Sequence, residues 1–169
     1  SVEGPPIDYP VVSPREGDPQ GFYLNHDFDR NWSFAGCPYL DPRGTADGRH
    51  ALVYGHHLNF DSEMFTYLRN AWRQEKFDTL GDMTPDGGTM RLHPAFSLSV
   101  DKSFAGIQRF DLTGAAETRT WLADLSAQAS ARADGCDDLC AHATRAVTLV
   151  TCTGNFAGGR ARTLTVFVG

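Results

Sequence analysis

The stretch 146–168 constrains this chain more than any other. Residues 147–151, Val-Thr-Leu-Val-Thr, form a β-branched apolar run that ends on Cys152. Gly154-Asn155 and Gly158-Gly159 follow as turn residues, and residues 163–168, Thr-Leu-Thr-Val-Phe-Val, make a second run. This pattern predicts two strands joined by a turn, with Cys152 at the exposed end of the first. Arg160 and Arg162 share one strand parity and stand just before the second run. A thiol at a strand rim with guanidinium charge beside it has the setting in which thiolate chemistry operates. The plain alternative is a small buried hydrophobe in Cys152 and solvated arginines beside a turn.

A chain of 169 residues can bury a real core without metals or disulfides and predicts one compact domain over 1–169. No run approaches the roughly 20 apolar residues of a membrane span. The net charge of −6 disfavours nucleic acid or an anionic membrane as a nonspecific partner. The chain opens on Ser1-Val-Glu-Gly4, with no initiator methionine, signal peptide or basic flank, and reads as processed or cut. Among four cysteines, Cys136 and Cys140 are the natural local pair across Asp137-Asp138-Leu139. A disulfide is compatible with that spacing, a zinc site is the weaker alternative, and Cys37 is left as a small buried side chain.

From the N-terminus, residues 1–20 carry Pro5, Pro6 and Pro10 and predict an extended arm laid on the domain. Trp32, Phe34, Tyr39 and Leu40 are candidate core anchors, and 41–49 reads as a surface loop. Residues 51–54 predict a short buried strand stopped by Gly55, with His56 and His57 at its end. Adjacent side chains on an extended chain point opposite ways, so at most one of the two enters a given cleft. Met64, Phe65, Leu68 and Trp72 make one apolar stripe of a helix capped by Asp61 or Ser62. Pro85-Asp-Gly-Gly88 is a hairpin signal, and three strand-like pieces follow at 89–93, 96–100 and 104–110. In the second of these, Phe96, Leu98 and Val100 alternate with serines, which predicts one buried face. A second helix is predicted over about 116–131, with Trp121, Leu122, Leu125 and Ala129 inward. Six to eight short strands and two crossover helices predict a mainly β protein, with a mixed or closed sheet.

Cysteine, histidine and arginine together suggest acyl transfer through a thioester, a chemistry that calls for neither cofactor nor metal. Cys152 is the candidate nucleophile, His56 the candidate acid and base, and an arginine the candidate holder of the oxyanion. No side chain can be assigned as the group that orients the histidine; Asn59 and Asn155 are candidates by proximity alone. Arg145, Arg160 and Arg162 cluster in sequence near Cys152 and predict a locally positive groove on an acidic protein.

These same residues resemble the sortases, membrane-anchored cysteine transpeptidases of Gram-positive bacteria. Thr148-Leu-Val-Thr-Cys152 is similar to their TLxTC motif, and Tyr54-Gly-His-His57 to the segment typical of class B. Ile7-Asp-Tyr-Pro-Val-Val12, Phe22-Tyr-Leu-Asn-His-Asp-Phe28, Ala35-Gly36 with Leu40-Asp41, and Ser62-Glu-Met-Phe65 agree in order. The resemblance spans roughly residues 7–72 and 146–168 and is weak over 81–110. It implies an eight-stranded β-barrel with peripheral helices, one of them before the cysteine strand and flanking the substrate groove. It places the family's histidine on His56, its cysteine on Cys152 and its arginine on Arg162, with Arg160 as the other possibility.

The resemblance further implies cleavage of a C-terminal sorting signal of LPxTG or NPxTG type after its threonine. The acyl group would pass to an amine of a peptidoglycan precursor or to a pilin lysine. The partners implied are secreted proteins carrying that signal, and the place implied is the outer face of the cell membrane, reached through an N-terminal anchor missing here. The rival readings are a noncatalytic peptide-binding domain and a mainly hydrolytic cysteine peptidase.

Overall fold

The computed structural model describes residues 1–58, 63–85, 88–153 and 159–169. Six strands form one mixed sheet: β1 (Tyr39–Leu40), β2 (His50–Tyr54), β3 (His93–Asp101), β4 (Ala131–Arg132), β5 (Ala146–Cys152) and β6 (Ala161–Val168). Their order across the sheet is β1-β2-β5-β6-β3-β4. Every pair is antiparallel except β2 with β5, which run parallel with Leu52 opposite Thr148 and Tyr54 opposite Val150. The two runs that constrain the sequence are therefore neighbours at the centre of the sheet, and the strand predicted at 51–54 lies beside the first of them.

Alternation sends successive side chains of these strands into two cores. Leu52, Val150, Leu164, Val166 and Val168 join Phe96 and Leu98 on one face. That face is covered by helix α2 (Ala115–Ser126) through Trp121, Leu122 and Leu125, and by α3 (Cys136–His142) through Cys136 and Cys140. Ala51, Val53, Val147, Leu149 and Phe167 occupy the other face, under Val2 and Ile7 of the N-terminal arm and under Phe65, Leu68 and Phe77. Both faces being covered explains why the serines of β3 do not all face water. Ser97 is fully buried, and its hydroxyl donates to the Leu164 carbonyl at 2.8 Å.

Among the described residues six strands form the sheet, where the resemblance implied eight. The remaining pieces join the sheet through single bridges, Val12 beside Tyr39 and Val2 beside Met83, which in turn pairs with Leu92. The proline-rich arm lacks the N–H groups a longer ladder would need. The three strand-like pieces of the middle are one nine-residue strand, β3, with a register shift between Pro94 and Phe96, followed by a 3-10 turn at Ala105–Ile107. The shift accommodates Pro94, which has no N–H to give the ladder. Of the turn predicted at 85–88, Asp86 and Gly87 lie outside the described residues.

The apolar stripe at 64–72 does not form one helix. It is a 3-10 turn at Thr66–Asn70 followed by the four-residue α1 (Gln74–Phe77). The cause is at its start: Met64 has φ 54 and bridges His57, and the Phe65 N–H donates to the His56 carbonyl at 2.9 Å. The first residues of the stripe are thus tied to extended chain. The capping candidates Asp61 and Ser62 lie outside the described residues.

Tyr39 and Leu40 are buried as predicted, but Trp32 and Phe34 are 71% and 62% exposed. They sit on a hairpin closed by the His26–Trp32 bridge, whose base is fastened by other groups. Phe22 stacks on His26, and the Arg30 guanidinium lies 4.4 Å over the Phe22 ring while pairing with Asp18. Cys136 and Cys140, with the residues between them, lie on α3, and all four cysteines are free thiols.

Candidate functional site

Cys152 ends β5, and its Cα partner across the β5–β6 ladder is Arg162. Val150 and Leu164, two residues inward on each strand, both belong to the core under α2. By alternation Cys152 and Arg162 point to that same side of the sheet, at its rim, where both are half-buried. The Arg162 guanidinium donates from Nη1 to the Gly159 and Ala161 carbonyls at 2.7 and 3.0 Å. Arg160 is placed differently. Its Nε and Nη2 donate to the two carboxylate oxygens of Asp101 at 2.8 and 2.9 Å, at the outer end of β3.

His56 arrives at the same rim from the other side. The Gly55 N–H donates to the Val150 carbonyl at 3.1 Å, which carries the parallel β2–β5 pairing one residue past β2. Adjacent strands are about 4.8 Å apart, so β2, β5 and β6 deliver His56, Cys152 and Arg162 to one end of three neighbouring strands. His56 keeps the parity of Leu52 and Tyr54, both of which touch the core under α2. His57 takes the opposite parity, bridges Met64 and holds the Arg69 guanidinium at 3.0 Å from its Nε2. Gly55 is required for this approach: a Cβ there would lie 2.5 Å from the Phe65 ring.

The group that orients His56 is a backbone carbonyl. His56 Nε2 lies 2.5 Å from the Leu24 oxygen, and a carbonyl only accepts, so Nε2 carries a proton. In the neutral ring the lone pair is then on Nδ1, which is the nitrogen left for proton transfer. Leu24 ends the 3-10 turn Phe22–Leu24, and Gly36 packs against it. Gly36 has φ 60, and a Cβ there would fall 2.6 Å from the Leu24 oxygen. Sequence reading could not find this partner, because a main-chain oxygen leaves no residue-type signal. Asn59 and Asn155, the side-chain candidates, lie outside the described residues.

A second missed feature is the network under Tyr54. Asp41, assigned to a surface loop, is 3% exposed. It accepts from Arg43 Nε at 2.9 Å and Nη2 at 2.7 Å, and from the Tyr54 hydroxyl at 3.0 Å. Burial raises its pKa, but the hydrogen bonds from Arg43 and Tyr54 outweigh that and leave it lowered. Tyr54 stacks on Tyr39 at 5.3 Å, and burial is the first cause that pushes its phenol pKa up. The strand entering His56 is thereby fixed by a buried carboxylate.

Arg145 does not join the site. It precedes β5, and a seven-residue strand is about 20 Å long, so it stands at the opposite end from Cys152. A cavity of about 480 Å³, lined by Val53, Val147, Leu149, Arg145 and the N-terminal arm, lies on the sheet face away from Cys152. Neither His56, Cys152 nor Arg162 lines it. Among the described residues no cluster of three or more His, Cys, Asp or Glu side chains is arranged to hold a metal.

No protein-family model and no curated protein matches the chain. Solved structures do. Clostridium perfringens sortase B aligns with a TM-score of 0.80 at 24% identity, over 99% of this chain and 90% of that one. A Staphylococcus aureus sortase B–substrate complex aligns at 0.76 and 22% identity, over 99% of this chain and 76% of that one. Sortase B from Listeria monocytogenes aligns at 0.74 and 16% identity, over 100% of this chain and 91% of that one. The chain has the sortase B fold.

Proposed function

We propose that the protein is a cysteine transpeptidase that cleaves a C-terminal sorting signal after threonine and passes the threonyl group to an amine. The observation that carries this reading is the ladder pairing of Cys152 with Arg162, flanked by His56 at the end of the adjoining parallel strand. In the proposed cycle the Cys152 thiol gives its proton to His56 Nδ1, the resulting thiolate attacks the threonyl carbonyl, and Arg162 donates hydrogen bonds to the oxyanion that forms. The carbon–nitrogen bond breaks as His56 gives its Nδ1 proton to the departing glycine amine, leaving a thioester. An acceptor amine then attacks the thioester and returns a proton to His56. The carbon–sulfur bond breaks and the thiolate is restored.

The acceptor class is supported by analogy with related folds. One similar structure is a sortase B complexed with triglycine, and another is the sortase B of a Streptococcus pneumoniae type II pilus. We assign this chain an amine acceptor on peptidoglycan precursor or pilin, and the outer face of the cell membrane as its place of action. Among the described residues no helix is long and apolar enough to cross a membrane.

Mass spectrometry of the protein with LPxTG-like and NPxTG-like peptides, with and without triglycine, tests the reading. An adduct on Cys152 that resolves into a triglycine-linked product is the expected result, lost in Cys152→Ala with the fold intact. Release of the free threonyl acid alone, even with triglycine present, would instead make the protein a hydrolase. Cleavage unchanged in Cys152→Ala would end the cysteine mechanism.

A further inference from the structure

Cys136 and Cys140 take no part in the site, yet they form the most polarised thiol pair in the chain. Both lie on α3, one turn apart and on the same face. They are 3% and 2% exposed and pack with α2 and β3. The Cys140 thiol and the Arg132 guanidinium on β4 are the hydrogen-bonding groups beside the Cys136 sulfur. Those two contacts, the first the larger, bring the Cys136 thiol down to about 6, while the same hydrogen bond and burial push Cys140 up. Cys136 is thus the more acidic thiol of the pair.

The backbone permits the two to join. Four residues of α-helix rise about 6 Å, inside the range of Cα separations that disulfides span. The Cβ atoms of such a pair stand about 5–6 Å apart, so closure draws them together by about 1–2 Å. That movement falls on the first turn of α3. Cys136 is its first residue, it follows Gly135 at φ 72 with no side-chain cap, and Gly135 is exposed. Opening of that turn lets an external reagent reach Cys136.

We propose that Cys136 and Cys140 are a redox-active dithiol that closes to an intrahelical disulfide by exchange with a small external disulfide. The Cys136 thiolate attacks one sulfur of the reagent and expels the other as a thiolate, giving a mixed disulfide. Cys140 loses its proton and attacks the Cys136 sulfur, and the second half of the reagent leaves as a thiolate. The protein gives up two electrons and two protons, and the reagent becomes two thiols. This does not rest on the transpeptidase reading.

The test is exposure of the Cys152→Ala protein to oxidised glutathione, followed by alkylation and peptide mapping. The expected result is a protein lighter by two hydrogens, with 136 and 140 in one cross-linked peptide, restored by dithiothreitol. It should form at least about tenfold faster than any adduct on Cys37, which burial holds up at about 11. In that background Cys140→Ser should trap glutathione on Cys136, whereas Cys136→Ser should leave Cys140 unmodified. The proposal fails if 136 and 140 remain alkylatable, or if each separately carries glutathione without cross-linking. It also fails if the two serine variants, shown folded by their thermal transitions, trap glutathione equally.

Discussion

His50 should make this protein acid-sensitive in a defined window. Its ring is 3% exposed, 4.5 Å from Trp121 and 6.0 Å from Phe110. Nδ1 donates to the Arg109 carbonyl at 3.0 Å, so Nε2 must accept from the Thr148 hydroxyl at 3.0 Å, and the ring is held neutral. Burial is the dominant cause that lowers its pKa from 6.5 to about 4. The sign follows from linkage. Between these values the unfolded chain takes up a proton and the folded chain does not, so stability is full above pH 6.5 and falls as pH drops toward 4. The loss is about 2 kcal/mol at pH 5 and about 3 kcal/mol at pH 4. Urea denaturation of the parent and of His50→Gln at pH 7 and pH 5 isolates this residue from the other titrating groups. The parent midpoint should fall by roughly 1 M more than that of the variant. Equal losses in the two proteins would refute the argument that His50 stays neutral in the fold.

Three further outcomes follow from the site. His56→Ala should reduce cleavage of a threonine-glycine peptide by at least about 10²-fold, the usual weight of a general acid or base, and His57→Ala by much less. Equal losses would undo the parity argument. Arg162→Lys should lower kcat on the same peptide, since an ammonium does not reproduce the guanidinium fork, whereas Arg160→Ala should leave cleavage near the parent value. A harmful Arg160→Ala beside a harmless Arg162→Lys would transfer the role. Asp41→Asn should cost about 1–3 kcal/mol in chemical denaturation, because it weakens a buried, charge-assisted network. A cost under about 0.5 kcal/mol would mean that Arg43 and Tyr54 find other partners.

The elements legible in the sequence are those whose pattern is set by burial alone. The β-branched runs that form β5 and β6, the run behind β2 and the inner face of α2 each show the period of their element. Sequence misleads where one tertiary bond overrules a local pattern. Met64 and Phe65 carry a helical stripe, but pairing with His56 and His57 holds them out of a helix. Asp41 looks like loop polarity and is in fact a buried acceptor for three donor groups. Trp32 and Phe34 have the size of core residues, yet their hairpin is fastened by Phe22, His26 and Arg30, which leaves their rings outside. Arg145 is near Cys152 in number and a strand's length away in space.

The candidate site residues stand out in the sequence as types and positions, but what joins them is topology. His56 and Cys152 are 96 positions apart, and only a parallel neighbour of β5 can end at the same rim as Cys152. An antiparallel β2 would have sent His56 to the end where Arg145 stands. The parallel pairing of β2 and β5 needs a crossover, and the long segment between them supplies it while building β3, α2 and α3 on the way. The short β5–β6 connection works in the opposite sense, folding back antiparallel so that Arg162 returns to face Cys152. His50 links the two arrangements. From the start of β2 it bonds Thr148 on β5 and the Arg109 carbonyl of the crossover, so the ring whose protonation destabilises the fold also pins the strand pair that aligns His56 with Cys152. Acid should therefore impair cleavage more in the parent than in His50→Gln. The pH profile of kcat for the two proteins decides it, and superimposable profiles would show that the pin is not mechanically coupled to the site.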